Sequence, residues 1–172
     1  MLPDGFNLRE ATEADLPSIV AIYNATIPGR MVTADTEPVS VESRVPWFHA
    51  HDRRTRPLWV VCDARAENSP VCAWLSFNSF YGRPAYAPTA EISVYVAESH
   101  RRRGLGRCLV QEAIARAPAC SVHTLLGFIW AHNGPSLELF AHLGFSRWGF
   151  LPRVAVLDGV ERDLAIVGRR VT

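Results

Sequence analysis

No apolar run in this 172-residue chain approaches the roughly 20 residues that would span a bilayer, so no membrane association is expected. The opening Met1-Leu2-Pro3-Asp4-Gly5 lacks the basic and apolar regions of a secretory signal. Only four cysteines are present, Cys62, Cys72, Cys108 and Cys120, and no two stand at Cys-x-x-Cys spacing. That argues against a zinc site or a dithiol redox motif, and a reduced, cytoplasmic setting without a metal is expected. Cys62 and Cys72 lie where a hairpin would bring them near each other, and spacing alone leaves open whether they bond. Excess charge of either sign is also missing. The net charge is +1, which points to neither a nucleic-acid partner nor an anionic surface. There is no internal repeat, low-complexity tract or linker. What remains is a chain that is 48% hydrophobic, enough for one core and one domain over residues 1–172.

Hydrophobic periodicity divides the chain into elements. Phe6 to Arg9 alternates as a half-buried strand. Thr12 with Asp15 three residues on resembles a capping box, and Leu16, Ile19, Val20, Tyr23 and Ile27 then recur at helical spacing up to Pro28-Gly29. Met31 to Pro38 reads as a loop. A second helix is expected over Val41 to Ala50, with Pro46 in its middle. Leu58 to Cys62 and Val71 to Phe77 form a hairpin around Glu67-Asn68-Ser69-Pro70. Tyr81 to Pro88 is a loop, and Glu91 to Val96 is an alternating, β-branched strand. A helix from Leu105 to Ala117 is ended by Pro118. Thr124 to Trp130 is an apolar strand. A helix opened by Pro135 is closed by Gly144, and strands over Phe145 to Leu151 and Arg162 to Val167 flank Asp158-Gly159. The order is a mixed α/β (α+β) pattern.

Between the Glu91 strand and the Leu105 helix lies Arg101-Arg102-Arg103-Gly104-Leu105-Gly106-Arg107. Backbone N–H groups at a helix start have no intrahelical partner, and the helix dipole adds positive potential. The two glycines let backbone approach an anion, and four arginines surround it with charge. Taken alone, the same turn is equally a tight connection carrying solvated arginines.

Its context extends the reading. Arg-x-x-Gly-x-Gly after Val94-Tyr95-Val96, then Asn133-Gly134-Pro135-Ser136 and Leu143-Gly144-Phe145, resembles the GNAT N-acetyltransferase superfamily over nearly the whole chain. Ile22-Tyr23-Asn24, Thr36-Glu37-Pro38, Arg83-Pro84-Ala85-Tyr86 and Thr89-Ala90-Glu91 bring it nearest to the phosphinothricin and methionine sulfoximine acetyltransferase group. The resemblance implies a GNAT fold. That is a mixed, mostly antiparallel twisted sheet of about six to seven strands flanked by about four helices, splayed between the Glu91–Val96 and Thr124–Trp130 strands. It implies acetyl-CoA as cosubstrate. The backbone of Val94, Tyr95 and Val96 would hold the pantetheine arm, and Arg101 to Arg107 the pyrophosphate. Asn133 and Ser136 would lie near the thioester.

Attack on a thioester needs a neutral amine, so a base must take a proton, and the resemblance points to Glu91. Burial would raise its pKa toward a useful range, whereas an exposed glutamate at a strand end would do nothing. Many GNAT enzymes place a tyrosine on the last helix to protonate the departing thiolate. Phe140 stands there, so no general acid is assigned. His123, His132 and His142 are alternative proton carriers, each equally at home as a structural or surface residue. For the acceptor, the resemblance places Arg83, Ala85 and Tyr86 near substrate, and the aromatics Tyr23, Phe80, Tyr81 and Tyr86 are candidates to shape the pocket. Arg83 would pair with a carboxylate. As solvated loop arginine and helix core respectively, Arg83 and Tyr23 would play no such part. The group often carries Gly-x-Trp-x-Asp in its final hairpin. Here the tryptophan is missing from Gly159-Val160-Glu161-Arg162-Asp163, which leaves the particular acceptor open. The expected activity is acetylation of a small amine, an amino acid or analogue, by a chain that resembles homodimeric relatives. Acetylation of a protein N-terminus or lysine, and noncatalytic sensing of acetyl-CoA, are the alternatives.

Overall fold

The computed structural model describes residues 2–171. Seven strands form one sheet: β1 (Phe6–Glu10), β2 (Leu58–Asp63), β3 (Val71–Ser79), β4 (Thr89–Val96), β5 (Thr124–Trp130), β6 (Ser146–Leu157) and β7 (Val160–Arg170). Their spatial order is β1-β2-β3-β4-β5-β7-β6, and every neighbouring pair is antiparallel except β4 with β5. The helices are α1 (Leu16–Asn24), α2 (Val41–His49), α3 (Leu105–Arg116) and α4 (Gly134–His142). Among the described residues no helix is long and apolar enough to cross a membrane.

Both faces of the sheet are covered, which explains why β2 is a continuous apolar run rather than an alternating one. Trp59 and Val61 join the core beneath α3, with Leu105, Leu109, Val110 and Ala113. Leu58, Val60 and Cys62 pack on the other face against Ile19 and Ile22 of α1 and Trp47 and Phe48 of α2. All four cysteines are buried and none is in a disulfide among the described residues, so Cys62 and Cys72 do not bond. Asn68 and Ser69 take positive φ in the β2–β3 turn, and a bulge at Val61/Cys62 shifts the register there.

The Thr12 segment folds as read. The Asp15 carboxylate accepts from the Thr12 backbone N–H at 2.7 Å and from the Thr12 hydroxyl at 2.9 Å, while Arg9 grips both its oxygens at 2.6 and 2.7 Å. The Arg9 guanidinium is the main cause holding the Asp15 carboxyl below the usual range. Its stabilisation is therefore present above the ordinary carboxylate pKa and lost as pH falls through the lowered folded value. Asp15→Ala is expected to cost about 2 kcal/mol and lower Tm by roughly 4–8 °C at neutral pH, with a shrinking difference in acid, measured by thermal melts against pH.

Several boundaries differ from the sequence reading. Helix α1 ends at Asn24, short of Pro28-Gly29, and Ile27–Gly29 forms a separate 3-10 turn. The final hairpin is longer than Phe145–Leu151 and Arg162–Val167, because β6 continues through Pro152. A register shift between Leu151 and Ala155 absorbs the proline, Arg153 takes φ 49°, and the Arg153 N–H donates to Asp163 Oδ1 at 2.7 Å. Helix α2 keeps Pro46 inside it, as expected. Ser40 caps it by accepting from the Ser43 N–H at 3.1 Å.

The feature that positions the site is the end of the β4–β5 pairing. Only Thr89, Ala90 and Glu91 pair with Thr124, Leu125 and Leu126. From Ile92 to Val96 the strand stays bonded to β3 but has no partner on its other edge. Those backbone groups face an opening, and buried backbone donors and acceptors need partners.

Candidate active site

Alternation along β4 sends Ile92 into the core beneath α3 and turns Glu91, Ser93 and Tyr95 toward α1 and α2. There they line a cavity of about 250 Å³ together with Tyr23, Arg44, Trp47, Trp74, Ser76 and Asn78. Glu91 is partly buried and has no ion-pair or hydrogen-bond partner among the described residues; burial alone raises its pKa. Trp74 stacks on Tyr95 at 4.4 Å between ring centroids, and Trp47 meets Trp74 edge-on at 5.8 Å. The Trp74 indole N–H is buried without an acceptor among the described residues. Burial pushes the Tyr95 phenol well above its ordinary pKa, so it stays protonated.

The segment between α1 and α2, the roof of this region, meets the cavity at Val39 and is pinned along its length. Trp130 Nε1 donates to the Thr33 carbonyl at 3.3 Å, and the Asn24 side chain holds the Val39 backbone at 2.9 and 3.0 Å. The Tyr23 hydroxyl donates to Asp35 Oδ2 at 2.5 Å and meets the Thr33 hydroxyl at 2.5 Å. Tyr23 lines the cavity, and its hydroxyl is engaged by the roof.

A larger groove of about 530 Å³ runs along the open edge of β4, lined by Val94, Tyr95, Val96, Arg101, Asn133, Pro135, Ser136 and the Thr26–Val32 segment. A small hollow of about 60 Å³ in the splay, walled by Ile92, Ser93, Gly127 and Phe140, leads between the strands. At the head of α3, Arg102 and Gly104 both take left-handed φ, 61° and 81°, and Gly104 as N-cap offers no side-chain acceptor to the first-turn N–H groups. Arg101, Arg102, Arg103 and Arg107 are exposed, and none has an ion-pair partner among the described residues. Leu105 is buried in the core, so only its backbone can serve a ligand. A Cβ built on Gly106 meets only Leu139 at 3.6 Å and Val96 at 3.8 Å, ordinary contacts. Nothing inside the protein demands glycine there.

Asn133 is 7% exposed and already used twice: Nδ2 donates to the Met31 carbonyl at 2.7 Å, and Oδ1 caps α4 by accepting from the Ser136 N–H. Its first duty is to tie the roof to α4. Phe140 is buried against Phe145 at 4.8 Å, and a Cβ on Gly127 would press its ring at 3.1 Å. The last helix thus presents a phenyl ring and no proton donor at that position. His123 and His142 are exposed, His142 Nδ1 meets the Glu138 carbonyl, and His132 Nε2 meets the Arg30 carbonyl at 2.9 Å. None of the three lines the Glu91 cavity.

The structure does not bring Arg83, Ala85 and Tyr86 to Glu91. Their loop is exposed and folds on itself: Arg83 lies over Tyr81 at 5.9 Å, Phe80 meets Tyr86 at 5.4 Å, and a separate hollow of about 290 Å³ lies among them. Arg56 straps this loop by donating to the Ala87 carbonyl at 2.7 Å and to the Ser79 hydroxyl. The cavity's cation is instead Arg44. The sequence reading missed it, and missed Trp74 and Asp35, because none stands in a motif.

A strand edge opened beside a parallel partner, a helix start without a side-chain cap and a partly buried carboxylate are the features this face of the protein offers. The profile of the acetyltransferase (GNAT) family matches residues 19–145, and the chain belongs to this family. YwnH of Bacillus subtilis, provisionally named a phosphinothricin acetyltransferase, is 51% identical over 96% of this chain and 99% of its own. An L-methionine sulfoximine/L-methionine sulfone acetyltransferase of Pseudomonas aeruginosa is 34% identical over 94% of this chain and 92% of its own. Among solved structures, a phosphinothricin acetyltransferase from Sinorhizobium meliloti in complex with acetyl-CoA superposes with a TM-score of 0.88 at 26% identity, covering 96% of this chain and 88% of that one. The chain is an N-acetyltransferase of mixed α/β GNAT fold, as its sequence leads one to expect.

Proposed function

We propose that the chain transfers the acetyl group of acetyl-CoA to the α-amino group of a small amino acid or analogue, of the phosphinothricin or methionine sulfoximine kind. The observation that carries this reading is Glu91: an unpaired, partly buried carboxylate facing a roofed cavity of about 250 Å³ at the point where the sheet opens. That volume suits an amino acid and leaves little room for a peptide.

The residues present fit the cosubstrate. Free backbone groups from Ile92 to Val96 suit a pantetheine amide ladder, and the uncapped first turn of α3 with Arg101, Arg102, Arg103 and Arg107 suits a pyrophosphate. Bound there, acetyl-CoA supplies the activated acyl carbon. Glu91 accepts the ammonium proton, directly or through a water, and the exclusion of solvent by the roof keeps that carboxylate basic. The backbone N–H of Val96 or its neighbour faces the developing oxyanion. With Phe140 in place of a hydroxyl-bearing residue, solvent protonates the departing thiolate, a good enough leaving group to need no help.

Thiol release measured across a panel of amines tests the reading. L-methionine sulfoximine, L-methionine sulfone and phosphinothricin are expected to react, and peptides to remain inert. Cofactor binding without thiol release for every amine would make the chain a sensor. The lack of disulfides between Cys62 and Cys72 supports a reducing, cytoplasmic setting, which fluorescence microscopy of a tagged chain checks. A homodimer is supported by the open edge strand β6, whose Trp148, Phe150, Leu151, Val154 and Val156 are 40–61% exposed. Sedimentation at micromolar concentration is expected to give twice the chain mass.

A further inference from the structure

We propose that Arg44, on α2, receives the carboxylate of the amino-acid acceptor, and so selects for acceptors that carry one. The inference rests on the reading of the Glu91 cavity as the acceptor site and names the residue that sets its substrate class.

Arg44 is the cation that lines this cavity, in which Glu91 is the acid. A zwitterion has the matching polarity, with its ammonium end toward Glu91 and its carboxylate end toward Arg44. The guanidinium is also held ready. It lies over the Tyr23 ring at 4.9 Å, and one end is fixed where Nη2 donates to Asp35 Oδ2 at 3.0 Å. Asp35 is itself held by the Tyr23 hydroxyl at 2.5 Å, and its backbone N–H donates to Thr33 Oγ1 at 3.2 Å. Among the described residues Asp35 is the guanidinium's hydrogen-bond partner, so Nε and Nη1 keep their donors free. Pinned by one edge and stacked on a ring, an arginine loses little freedom when a carboxylate takes the other edge.

Trp74 lines the same cavity, is 3% exposed, and stacks on Tyr95 at 4.4 Å, an aromatic wall for the acceptor. The other arginine candidates do not meet these conditions. Arg83 lies on the exposed loop over Tyr81, and Arg56 spends its donors on Ser79, Thr55 and Ala87.

Calorimetry on the full chain loaded with coenzyme A tests the assignment, with L-methionine sulfone and its carboxamide as probes. Wild type is expected to bind the acid at least ~10-fold more tightly than the carboxamide. Arg44→Gln should weaken the acid by ~10- to 100-fold and the carboxamide by less than ~3-fold. Arg44→Lys keeps the charge without the fork and should recover part of the loss, which separates charge recognition from damage to α2. Glu91→Gln should still bind the acid while releasing thiol from acetyl-CoA about 10²- to 10³-fold more slowly than wild type. Equal weakening of both probes by Arg44→Gln, no preference for the acid in wild type, or no binding of either probe would overturn the role of Arg44. Arg44-dependent binding of the acid with no thiol release by wild type would uphold the carboxylate site and defeat the proposed acetylation instead.

Discussion

Glu91→Gln is expected to lower kcat by about 10²- to 10³-fold while leaving the KM for acetyl-CoA within ~2-fold. The argument starts from isolation. Glu91 has no partner to stabilise its charge, and burial raises its pKa. A base works only when deprotonated, so wild-type kcat/KM should climb with pH through a range above that of an ordinary glutamate. Glutamine has no such group, and this acid limb should vanish from its profile. Stability moves the other way. A carboxyl whose folded pKa is raised favours the folded state at low pH, and that contribution is lost as pH rises through the raised value. Glu91→Gln should therefore melt higher than wild type at neutral pH, and the gain should fade below the ordinary carboxylate range. Pre-steady-state rates and melts across pH measure both. Full activity of the glutamine variant at neutral pH would remove Glu91 from the mechanism.

Local patterns made most of this fold legible in the sequence, and long-range contacts account for what was not. The β-branched run Glu91 to Val96, the β2–β3 hairpin and the Leu105 helix each carry their own periodicity, and the structure forms them within a few residues of the expected bounds. Glu91 was placed by a motif that also fixes its strand. The floor and roof of its cavity had no such mark. Tyr23 reaches Asp35, Trp130 reaches Thr33, and Asn133 reaches Met31, contacts that link segments up to a hundred residues apart in the chain. Arg44 lies on a short helix interrupted by Pro46, where the pattern is weakest. Arg83 was expected to pair with a carboxylate because its guanidinium suits one and the resemblance places its loop near substrate, yet the aromatics of that loop pack on one another, and Arg83 does not line the Glu91 cavity. The strand expected to end at Leu151 continues through Pro152, because an edge strand can bulge around a missing N–H.

The cofactor turn yields a test in which stability and activity part company. Gly104 and Gly106 look alike in the motif, but the structure gives them different reasons to be glycine. Gly104 has φ 81°, and any other residue there costs about 1–2 kcal/mol of backbone strain. Gly106 is an ordinary helical residue, and its Cβ would meet only Leu139 and Val96 at 3.6 and 3.8 Å. Helix propensity alone favours alanine over glycine, so Gly106→Ala should leave Tm unchanged or raise stability by up to about 1 kcal/mol. If the backbone there lies against the pyrophosphate, the same methyl stands in the ligand's place. The KM for acetyl-CoA should rise at least ~10-fold in Gly106→Ala and ~100-fold in Gly106→Val, with the four unpaired arginines untouched. Their charge should appear separately, as a KM for acetyl-CoA that increases with ionic strength in wild type. Gly104→Ala should show the opposite pattern, a lower Tm first and a binding defect in proportion to the disturbed turn. An unchanged KM in Gly106→Val would show that the α3 N-terminus does not hold the cofactor, and would return Arg101 to Arg107 to the status of a solvated turn.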